Sequence, residues 1–341
     1  MKVNVFVVGT EYHFLMANFI IQEHFSSQDY ENRLVFLGKR LSQVQRNALP
    51  SNIISIDYFF DQENMPANKV KTEILVGNVI NLFLVNVYRA SDTLIVSMTT
   101  RHTKCHLIQD GALFYNRIEK SIWKNRIKET YNIYSSLWKK GIPFRDLIWY
   151  GRFMEESDYI DEIWMTNPNE YVGPTSSKKV NLIKFFPNKE SKDQILSYFE
   201  VDNKLVDGFN NQLIYLAPII KDEKLVDLEI VQIKQILKKI NLKDVIIKLH
   251  PNTKDFHLHK LKKEFGDSVI RNFIPAELYI AQSVDSVVVG CASTTLFYHN
   301  PKCKYFALKE FYQKLGIYEA WKNVNLPKHV NVVNEFYDIN V

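Results

Sequence analysis

Three clusters of polar residues could do chemistry in this chain, and each follows a short run that is typical of a buried strand. The runs cover residues 245–247, 268–270 and 287–289. In an open parallel sheet the carboxyl ends of the strands line one crevice, and ligands bind there. The pattern therefore predicts a ligand site at one sheet edge, although three ordinary strand–loop–helix joints would show the same pattern. The polar residues that follow the three runs are Lys248 and His250, Pro275 and Glu277, and Ser293 and Thr294.

The residue types in these clusters suit a ligand that carries hydroxyls and phosphate. A histidine ordinarily titrates near neutrality, so His250 can hydrogen-bond or protonate a phosphate, and Lys248 on the same strand face can add positive charge. Glu277 offers two acceptor oxygens to a pair of hydroxyls. Ser293 and Thr294 open a predicted helix, whose N-terminal N–H groups can bind phosphate. The alternative is structural, with His250 at a capped strand end and a plain helix N-cap at Ser293 or Thr294.

The first elements of the chain predict a second ligand-facing loop. A strand pattern at Val3–Val8 ends at Gly9 and Thr10, and helical periodicity follows over 14–21. A strand–glycine–helix opening is typical of a doubly wound domain, but the loop lacks the Gly-x-Gly-x-x-Gly arrangement that would indicate a dinucleotide. Gly9 and Thr10 are candidates for contact with the ligand, and a tight turn that only requires glycine is the alternative.

A carboxylate follows a further predicted strand, His106–Ile108, in the sequence Gln109-Asp110-Gly111. At a strand end such a carboxylate can act as a general base, a role that typically contributes ~10²–10⁴-fold in rate. An Asp-Gly pair after a strand is also common in turns. Both interpretations of Asp110 stay open on these residues alone.

Together the clusters resemble the motifs of the bacterial GT-B sialyltransferases, the lipooligosaccharide and capsule enzymes that include the polysialyltransferases. That clan has a His-Pro motif, a Pro-x-Glu motif and a paired Ser/Thr motif, and the same order and similar spacings occur here. The resemblance implies an α/β chain with two Rossmann-like, doubly wound domains that face a central cleft. The matching residues are His250-Pro251, Pro275-Ala276-Glu277 and Ser293-Thr294.

The resemblance also implies an activity and a role for each residue. It implies an inverting, metal-independent transfer of sialic acid from CMP-sialic acid to a glycan hydroxyl, with galactose-terminated lipooligosaccharide or capsule as acceptor and no cofactor. In the clan an acidic-acidic-Gly motif supplies the general base; here Gln109 occupies the first position, so only Asp110 can fill that role. His250 would act on the departing phosphate, and the loop of Gly9 and Thr10 would approach the donor. The nucleotide-binding set would be Lys248, Pro275, Glu277, Ser293 and Thr294.

Two other functions stay open at this point. A teichoic-acid-type glycerophosphotransferase also uses a cytidine nucleotide, and it would act on CDP-glycerol and not on CMP-sialic acid. A non-catalytic nucleotide-sugar-binding protein of polysaccharide assembly would bind CMP without turnover. The presence of Gln109 where an acid is usual favours this second alternative.

The organisation of the chain follows from its turn-rich and apolar segments. The polar, turn-rich residues 173–179 predict a link between a first domain, 1–175, for the acceptor and the base, and a second domain, 176–341, for CMP. Apolar periodicity predicts a helix over 73–87 and a strand over 92–98. Further strands are predicted over 33–37, 52–56, 162–165, 213–218 and 304–308.

Residues 117–140 combine seven basic side chains with two acidic ones. Their aromatic and apolar residues recur at helical spacing, so one face of a predicted helix is aromatic with a basic surround. Such a helix can lie peripherally on an anionic membrane, which would suit an enzyme whose acceptor is tethered to lipid. A core-facing stripe with a solvated basic rim is the other interpretation. The residues of the stripe are Trp123, Ile127, Tyr131, Tyr134 and Trp138.

Composition excludes several classes of protein. The 341 residues are 46% hydrophobic, which is enough for about two packed domains. The net charge of +5 is mild and no zinc-finger or RNA-binding motif occurs, so nucleic acid is not an expected partner. Cys105, Cys291 and Cys303 have neither pairing nor metal-ligand spacing, which predicts reduced thiols in a cytoplasmic protein at most peripheral to the inner face of the membrane. No metal site is predicted.

Overall fold

A computed structural model of the chain describes residues 1–37, 41, 44–58, 69–86, 90–111, 127, 130–131, 134–135, 138, 157, 159–171, 178–186, 189–199, 209–242, 244–291, 293–308, 324–334 and 338–339. The chain divides into two units, which are described separately: unit 1 is Met1–Glu200 and unit 2 is Val201–Val341. Each unit holds its own parallel sheet with helices in the connections. The predicted α/β class with two doubly wound domains is therefore confirmed.

The described part of unit 1 contains one parallel sheet and α-helices in its connections, and the described residues between 127 and 138 are also helical. Its strands are β1 (Lys2–Val8), β2 (Tyr30–Leu37), β3 (Ile53–Tyr58), β4 (Asn78–Leu84), β5 (Lys104–Ile108), β6 (Glu162–Met165) and β7 (Lys179–Leu182). The helices are α1 (Glu11–His24), α2 (Ala90–Ser97) and α3 (Lys189–Ser197), with a π-turn at Val70–Ile74 and 3-10 turns at Arg46–Ala48 and Pro168–Glu170.

The strand order in unit 1 is β3-β2-β1-β4-β5-β6-β7, and every neighbouring pair is parallel. The order reverses between β1 and β4, and open α/β sheets bind ligands outside the carboxyl ends of strands at such a switch point. The loops after β1 and β5 therefore lie at the edge where a site is expected.

Unit 2 repeats this arrangement. Its main sheet has the order β11-β10-β9-β13-β14-β15, with a switch point between β9 and β13, and β8 pairs with β12 separately. The strands are β8 (Phe209–Asn210), β9 (Leu213–Ala217), β10 (Val245–Leu249), β11 (Val269–Ile270), β12 (Ser283–Val284), β13 (Ser286–Gly290), β14 (Cys303–Ala307) and β15 (Val330–Val332). The helices are α4 (Glu223–Ile240), α5 (Asp255–Phe265) and α6 (Ala276–Ala281), with 3-10 turns at Gly266–Ser268 and Thr294–Phe297.

The apolar patterns explain why these elements form. Strands β9, β10 and β13 are buried along their whole length, as expected for parallel strands covered on both faces. Helix α4 packs Val226, Ile233 and Ile236 into the core of unit 2. It ends at Asn241, which adopts a left-handed backbone with φ of 53°, a conformation that asparagine often takes at the end of a helix.

The division between the units lies later in the chain than the turn-rich segment predicts. Strand β7 pairs in parallel with β6, and the ring of Phe199 lies 5.6 Å from that of Phe14 in α1. These contacts place residues 178–199 in unit 1, so the division follows Glu200 and not residue 175. The predicted last strand of the first domain, β6, is consequently followed by one more. Local composition marks turns, but it does not show which sheet accepts the next strand.

Two elements have a different secondary structure from the one predicted. Residues 73–87 were predicted as a helix, but Gly77 has φ of 84° and breaks the segment between the π-turn and strand β4. Residues 92–98 were predicted as a strand, but α2 covers most of them, with Leu94, Ile95 and Val96 buried. A short, continuous apolar run has the same appearance in a buried strand and a buried helix, so its periodicity could not separate the two.

A row of polar side chains crosses five strands of the unit 1 sheet and fixes their register. Trp164 Nε1 donates to His106 Nδ1 at 3.2 Å, and His106 Nε2 binds Asn81 Oδ1 at 3.0 Å. Asn81 Nδ2 then donates to Asn4 Oδ1 at 2.8 Å, and Asn4 Nδ2 donates to Asn32 Oδ1 at 2.9 Å. Since an indole nitrogen only donates, the His106 proton lies on Nε2 and all the bonds run in one direction. A shift of one residue would break every bond in the row.

The row makes a prediction about pH. Burial lowers the pKa of His106 to about 4 against an ordinary value of 6.5, so the unfolded chain binds a proton at a higher pH than the folded chain. The stabilisation is complete above pH 6.5 and is lost as the pH falls towards 4; a difference of this size corresponds to about 3 kcal/mol. His106→Gln, whose amide can both donate and accept, should show a smaller loss of unfolding free energy between pH 6.5 and 4.5 in urea titrations.

The contribution of His106 is the difference between the wild type and the variant in this loss of unfolding free energy. The subtraction is needed because burial also lowers the pKa of His329 to about 4, and both proteins contain His329. Equal losses of stability in the two proteins would show that His106 does not titrate in this window.

Candidate functional site

In unit 1 the loops after β1 and β5 meet through the first turn of α1. Thr10 is the N-cap of α1, and its hydroxyl accepts a hydrogen bond from the backbone N–H of His13 at 3.3 Å. This cap turns the side chain of His13 towards the end of β5, where Nε2 lies 3.0 Å from Oδ1 of Asp110. The predicted residues Gly9, Thr10 and Asp110 therefore belong to one constellation, and Asp110 makes a specific side-chain contact.

The backbone N–H of Gly9 selects the tautomer of a neutral His13. The N–H of Gly9 donates to Nδ1 of the ring at 3.4 Å, so the ring proton of a neutral His13 lies on Nε2 and is donated to Asp110. The imidazole is 3% exposed and the carboxylate 26% exposed, so a nearly buried donor holds a carboxylate that solvent still reaches. Nothing in the sequence analysis identified His13; its only signal was its place three residues after the N-cap.

Gln109, at the position where an acid was expected, has a structural role. Its side chain is fully buried. Its Oε1 accepts from the backbone N–H of Thr166 at 2.9 Å and from the Thr166 hydroxyl at 3.1 Å, and its Nε2 donates to the hydroxyl of Tyr12 at 3.2 Å. The amide thus joins the ends of β5 and β6 to α1. A glutamate at position 109 would have no N–H group to donate to the Tyr12 hydroxyl, as Nε2 of Gln109 does.

In unit 2, His250 follows β10 and is exposed. The backbone N–H of Asn252 donates to its Nδ1 at 3.1 Å, and the backbone N–H of Thr253 donates to its carbonyl oxygen at 2.9 Å. The proton of the neutral imidazole is therefore on Nε2, and the ring offers a hydrogen-bond donor. The tight turn after β10 sets the tautomer, as the loop after β1 does for His13.

Lys248 does not lie at the surface beside His250. It is buried, and its ammonium donates to the carbonyl oxygen and to Oδ1 of Asn272 at 2.8 and 2.9 Å. Asn272 in turn donates to the hydroxyl of Tyr279 at 2.8 Å. The charge of Lys248 was expected at a phosphate; in the structure the ammonium instead binds the loop after β11.

Glu277 and Pro275 begin the short helix α6, with Pro275 at the N-cap. Glu277 is buried, and burial raises the pKa of its carboxyl group, while its own backbone N–H, the Thr295 hydroxyl and the charge of Lys248 oppose that rise. The carboxylate therefore already has a hydroxyl partner in Thr295. The sequence analysis missed Thr295, although it stands beside the predicted Ser/Thr pair.

Ser293 caps the 3-10 turn Thr294–Phe297, and its hydroxyl accepts from the backbone N–H of Thr295 at 3.3 Å. The structural alternative for this residue, a plain N-cap, is therefore present. It does not exclude ligand contact, because a hydroxyl can donate while it accepts.

Gly290, at the end of β13, has no room for a side chain without displacing Leu216, since a Cβ would lie 3.2 Å from the Cβ of Leu216.

The described residues contain no group of three or more His, Cys, Asp or Glu side chains that could hold a metal ion. No helix in the described part of the chain is long and apolar enough to cross a membrane. Most of the predicted basic helix, 117–140, lies outside the described residues.

Comparison with known proteins identifies the family. The family model described as alpha-2,8-polysialyltransferase matches residues 4–312. The chain belongs to the alpha-2,8-polysialyltransferase family. The resemblance inferred from the three motifs is thereby confirmed, and with it a glycosyltransferase of the sialyltransferase type. No curated protein sequence is similar enough to the chain to be matched.

Solved structures agree with this family in fold. The GT-B domain of a Photobacterium damselae sialyltransferase, residues 113–497, shares 14% identity and a TM-score of 0.58, covering 97% of this chain and 100% of that domain. A second sialyltransferase structure from Photobacterium damsela has 12% identity and a TM-score of 0.53, over 97% of this chain and 81% of the other. A Methanocaldococcus jannaschii UDP-GlcNAc 2-epimerase in complex with UDP-GlcNAc and UDP has 12% identity and a TM-score of 0.50, over 98% and 89%. This polysialyltransferase-family chain therefore has the GT-B fold.

The burial of Gln109 generates a prediction about stability. Gln109→Leu should leave the buried backbone N–H of Thr166 without its acceptor, and an unsatisfied buried donor costs roughly 1–3 kcal/mol. The expected result is a melting temperature several degrees below that of the wild type, measured by circular dichroism. Gln194→Leu, which removes an exposed glutamine amide of unit 1 whose oxygen accepts from Gln22, is a milder control. A Gln109→Leu protein as stable as the control would contradict the structural role.

Proposed function

We propose that this chain transfers sialic acid from CMP-sialic acid to a glycan hydroxyl with inversion and without a metal. The observation that carries the proposal is the His13–Asp110 contact, which holds one carboxylate, partly exposed, at the edge of unit 1 where ligands bind in such sheets. The family name points to an acceptor that already ends in sialic acid, since an α2,8 linkage joins two such sugars. A galactose-terminated lipooligosaccharide or capsule acceptor is the alternative.

In the proposed reaction Asp110 takes the proton of the acceptor hydroxyl. The acceptor oxygen then bonds to the anomeric carbon of the sialic acid while the bond from that carbon to the phosphate oxygen of CMP breaks. A single displacement of this kind inverts the anomeric configuration. The acceptor proton ends on the carboxylate, and the bonding electrons leave with the phosphate of CMP.

We assign His250 to the leaving phosphate as a hydrogen-bond donor. Its Nδ1 accepts from Asn252, so a neutral ring can stabilise the growing phosphate charge with Nε2–H while it keeps its own proton. Transfer of that proton would first require a second proton on Nδ1, which would face the N–H of Asn252. The geometry therefore favours a fixed donor over a proton donor.

The same proposal assigns the remaining predicted residues to the nucleotide. Glu277 would accept the ribose hydroxyls in the place now taken by the Thr295 hydroxyl. Ser293 and Thr294 would bind the phosphate, and the turn at Pro275 would orient the loop. Gly9 and Thr10 would approach the donor sugar from unit 1, and Lys248 would act on the site only through Glu277.

A pair of variants separates turnover from binding. Asp110→Asn should reduce transfer by ~10²-fold or more while CMP still binds, because a base acts only when the acceptor proton moves. Glu277→Ala should weaken CMP binding, since a charge-assisted hydrogen bond is worth roughly 1.5–3 kcal/mol. Transfer would be followed by CMP release from CMP-sialic acid with sialic-acid- and galactose-terminated acceptors, and binding by calorimetry.

The transfer assay should also be run with CDP-glycerol as the donor, because the glycerophosphotransferase alternative uses that substrate. Turnover of CDP-glycerol and not CMP-sialic acid would overturn the proposed donor. A folded Asp110→Asn protein with wild-type turnover would remove Asp110 as the base, and unchanged CMP affinity in Glu277→Ala would remove the ribose assignment.

The role of His250 can be tested with a variant that donates but cannot transfer a proton. His250→Gln should stay within about tenfold of the wild-type kcat, whereas His250→Ala should lose roughly 10²-fold, the usual effect of removing one donor to transition-state charge. His259→Gln, on the exposed surface of α5, is the matched control. Equal inactivity of His250→Gln and His250→Ala would show that the imidazole must supply a proton.

We also propose that residues 117–140 contact an anionic membrane that carries the acceptor. Within the described part of this segment, Ile127, Tyr131 and Trp138 are 65%, 71% and 76% exposed. These three residues lie on one face at helical spacing, and their exposure supports the surface interpretation over the core-facing one. Tyr134, the other described residue of the stripe, is partly buried. Basic residues around an exposed aromatic face suit the boundary between headgroups and acyl chains.

The membrane proposal predicts that the protein co-sediments with phosphatidylserine-containing vesicles at low salt and is released by added salt, because exposed charges are screened. Replacement of Lys124, Arg126 and Lys128 by Gln should abolish the interaction. Replacement of Lys221, Lys238 and Lys239, exposed lysines of unit 2, removes the same charge and should not. Equal loss in both triple variants would indicate attraction by net charge alone.

A further inference from the structure

Two adjacent residues of α1 bind the two residues that follow β5. Tyr12 accepts a hydrogen bond from Gln109, and the next residue, His13, binds Asp110. Of these four side chains, Asp110 is the one proposed to touch the acceptor. The first turn of α1 is therefore attached to the position of the base by two side-chain contacts.

The orientation of the His13 ring towards Asp110 is fixed because each of its ring nitrogens has a partner. Nδ1 accepts from Gly9 and Nε2 faces Asp110 Oδ1. The ring is 3% exposed, so it cannot turn to solvent without leaving both contacts. The other ionisable side chains beside the pair in the chain are Glu11, which is buried, and Tyr12, whose ring lies 6.2 Å from that of His13.

We propose that His13 is the positioning residue of Asp110: it donates Nε2–H to Oδ1 and thereby fixes the orientation of the carboxylate that takes the acceptor proton. This inference rests on the proposed function of Asp110 as the base. His13 keeps its own proton throughout, so the proton of the acceptor hydroxyl is transferred to Asp110 alone. The hydrogen bond to Oδ1 favours the charged form of the carboxylate, the form that can accept a proton.

A helix-capping role is the competing explanation. A side chain at the third helical position often accepts from a backbone N–H before the helix, as His13 Nδ1 does from Gly9. Capping needs an acceptor only, and a glutamate supplies one as well as a glutamine does. Positioning of Asp110 needs a donor, which glutamine has and an ionised glutamate lacks. These two isosteric substitutions therefore separate the explanations.

The experiment compares His13→Gln with His13→Glu in CMP-sialic acid transfer across pH. His13→Gln should stay within about fivefold of the wild-type kcat. His13→Glu should lose at least about tenfold at pH 7, because part of the general-base contribution is lost. Its acidic limb of kcat/KM should move to higher pH by about one unit, because a second carboxylate raises the pKa of Asp110. The KM for CMP-sialic acid should change by less than about twofold. His24→Gln, at the other end of α1 and partly exposed, is the control.

A measurement on the wild type keeps the inference testable if His13→Glu does not fold. Nitrogen-15 NMR of histidine-labelled protein, with the His13 signal assigned by its absence in His13→Gln, should show the Nε2–H tautomer. An Nδ1–H tautomer would overturn the inference. So would equal activity and equal pH profiles for folded His13→Gln and His13→Glu, as capping predicts.

The failures of the two proposals are distinguishable. If the wild type transfers nothing from CMP-sialic acid, or Asp110→Asn transfers normally, the proposed function fails. If Asp110→Asn is inactive but His13→Gln and His13→Glu behave alike, only the role of His13 fails.

Discussion

Two backbone N–H groups, those of Gly9 in unit 1 and Asn252 in unit 2, set the tautomers of two histidines at candidate ligand-binding loops. Each donates to Nδ1 of a histidine, so His13 and His250 both carry their proton on Nε2 when neutral. One of these donors binds the carboxylate of Asp110, and the other belongs to the exposed side chain of His250 in the turn after β10. In the proposed reaction, negative charge develops on the leaving phosphate assigned to His250, and a donor that is already oriented stabilises such charge without reorganisation. The chemistry of both side chains thus depends on the conformation of two short loops.

The sheets hold these loops in place. In unit 1 the directed row of hydrogen bonds from Trp164 to Asn32 fixes the register of five strands, and hence the position at which β1 and β5 end. Gln109 joins the ends of β5 and β6 to α1. Buried polar groups cost free energy unless they are paired, so this arrangement has few alternatives. A site at the edge of unit 1 therefore rests on buried contacts that take no part in the chemistry.

Gln109 shows how a departure from a family motif can be read in two ways. From sequence, the absence of an acid was consistent with a protein that binds without turnover. In the structure the side chain is buried and hydrogen-bonded at both ends of its amide, while Asp110 lies next to it with its carboxylate partly exposed. Adjacent residues near a strand end point to opposite sides, so only one of the two positions reaches the site. The departure is therefore explained by packing.

The sequence by itself determined the α/β class, most strands and the family, because these depend on local apolar periodicity and on short motifs. It also selected Asp110 and His250, since polar residues that follow buried strands are visible in the order of the chain. It could not assign residues 73–87 or 92–98, whose short apolar runs suit a helix or a strand until neighbouring strands bury them. Only the tertiary structure brought His13 to Asp110 across 97 positions, placed Lys248 with Asn272, and gave Glu277 its partner Thr295. Such contacts arise where separate loops converge at a sheet edge, and no local pattern along the chain records which loops will meet there.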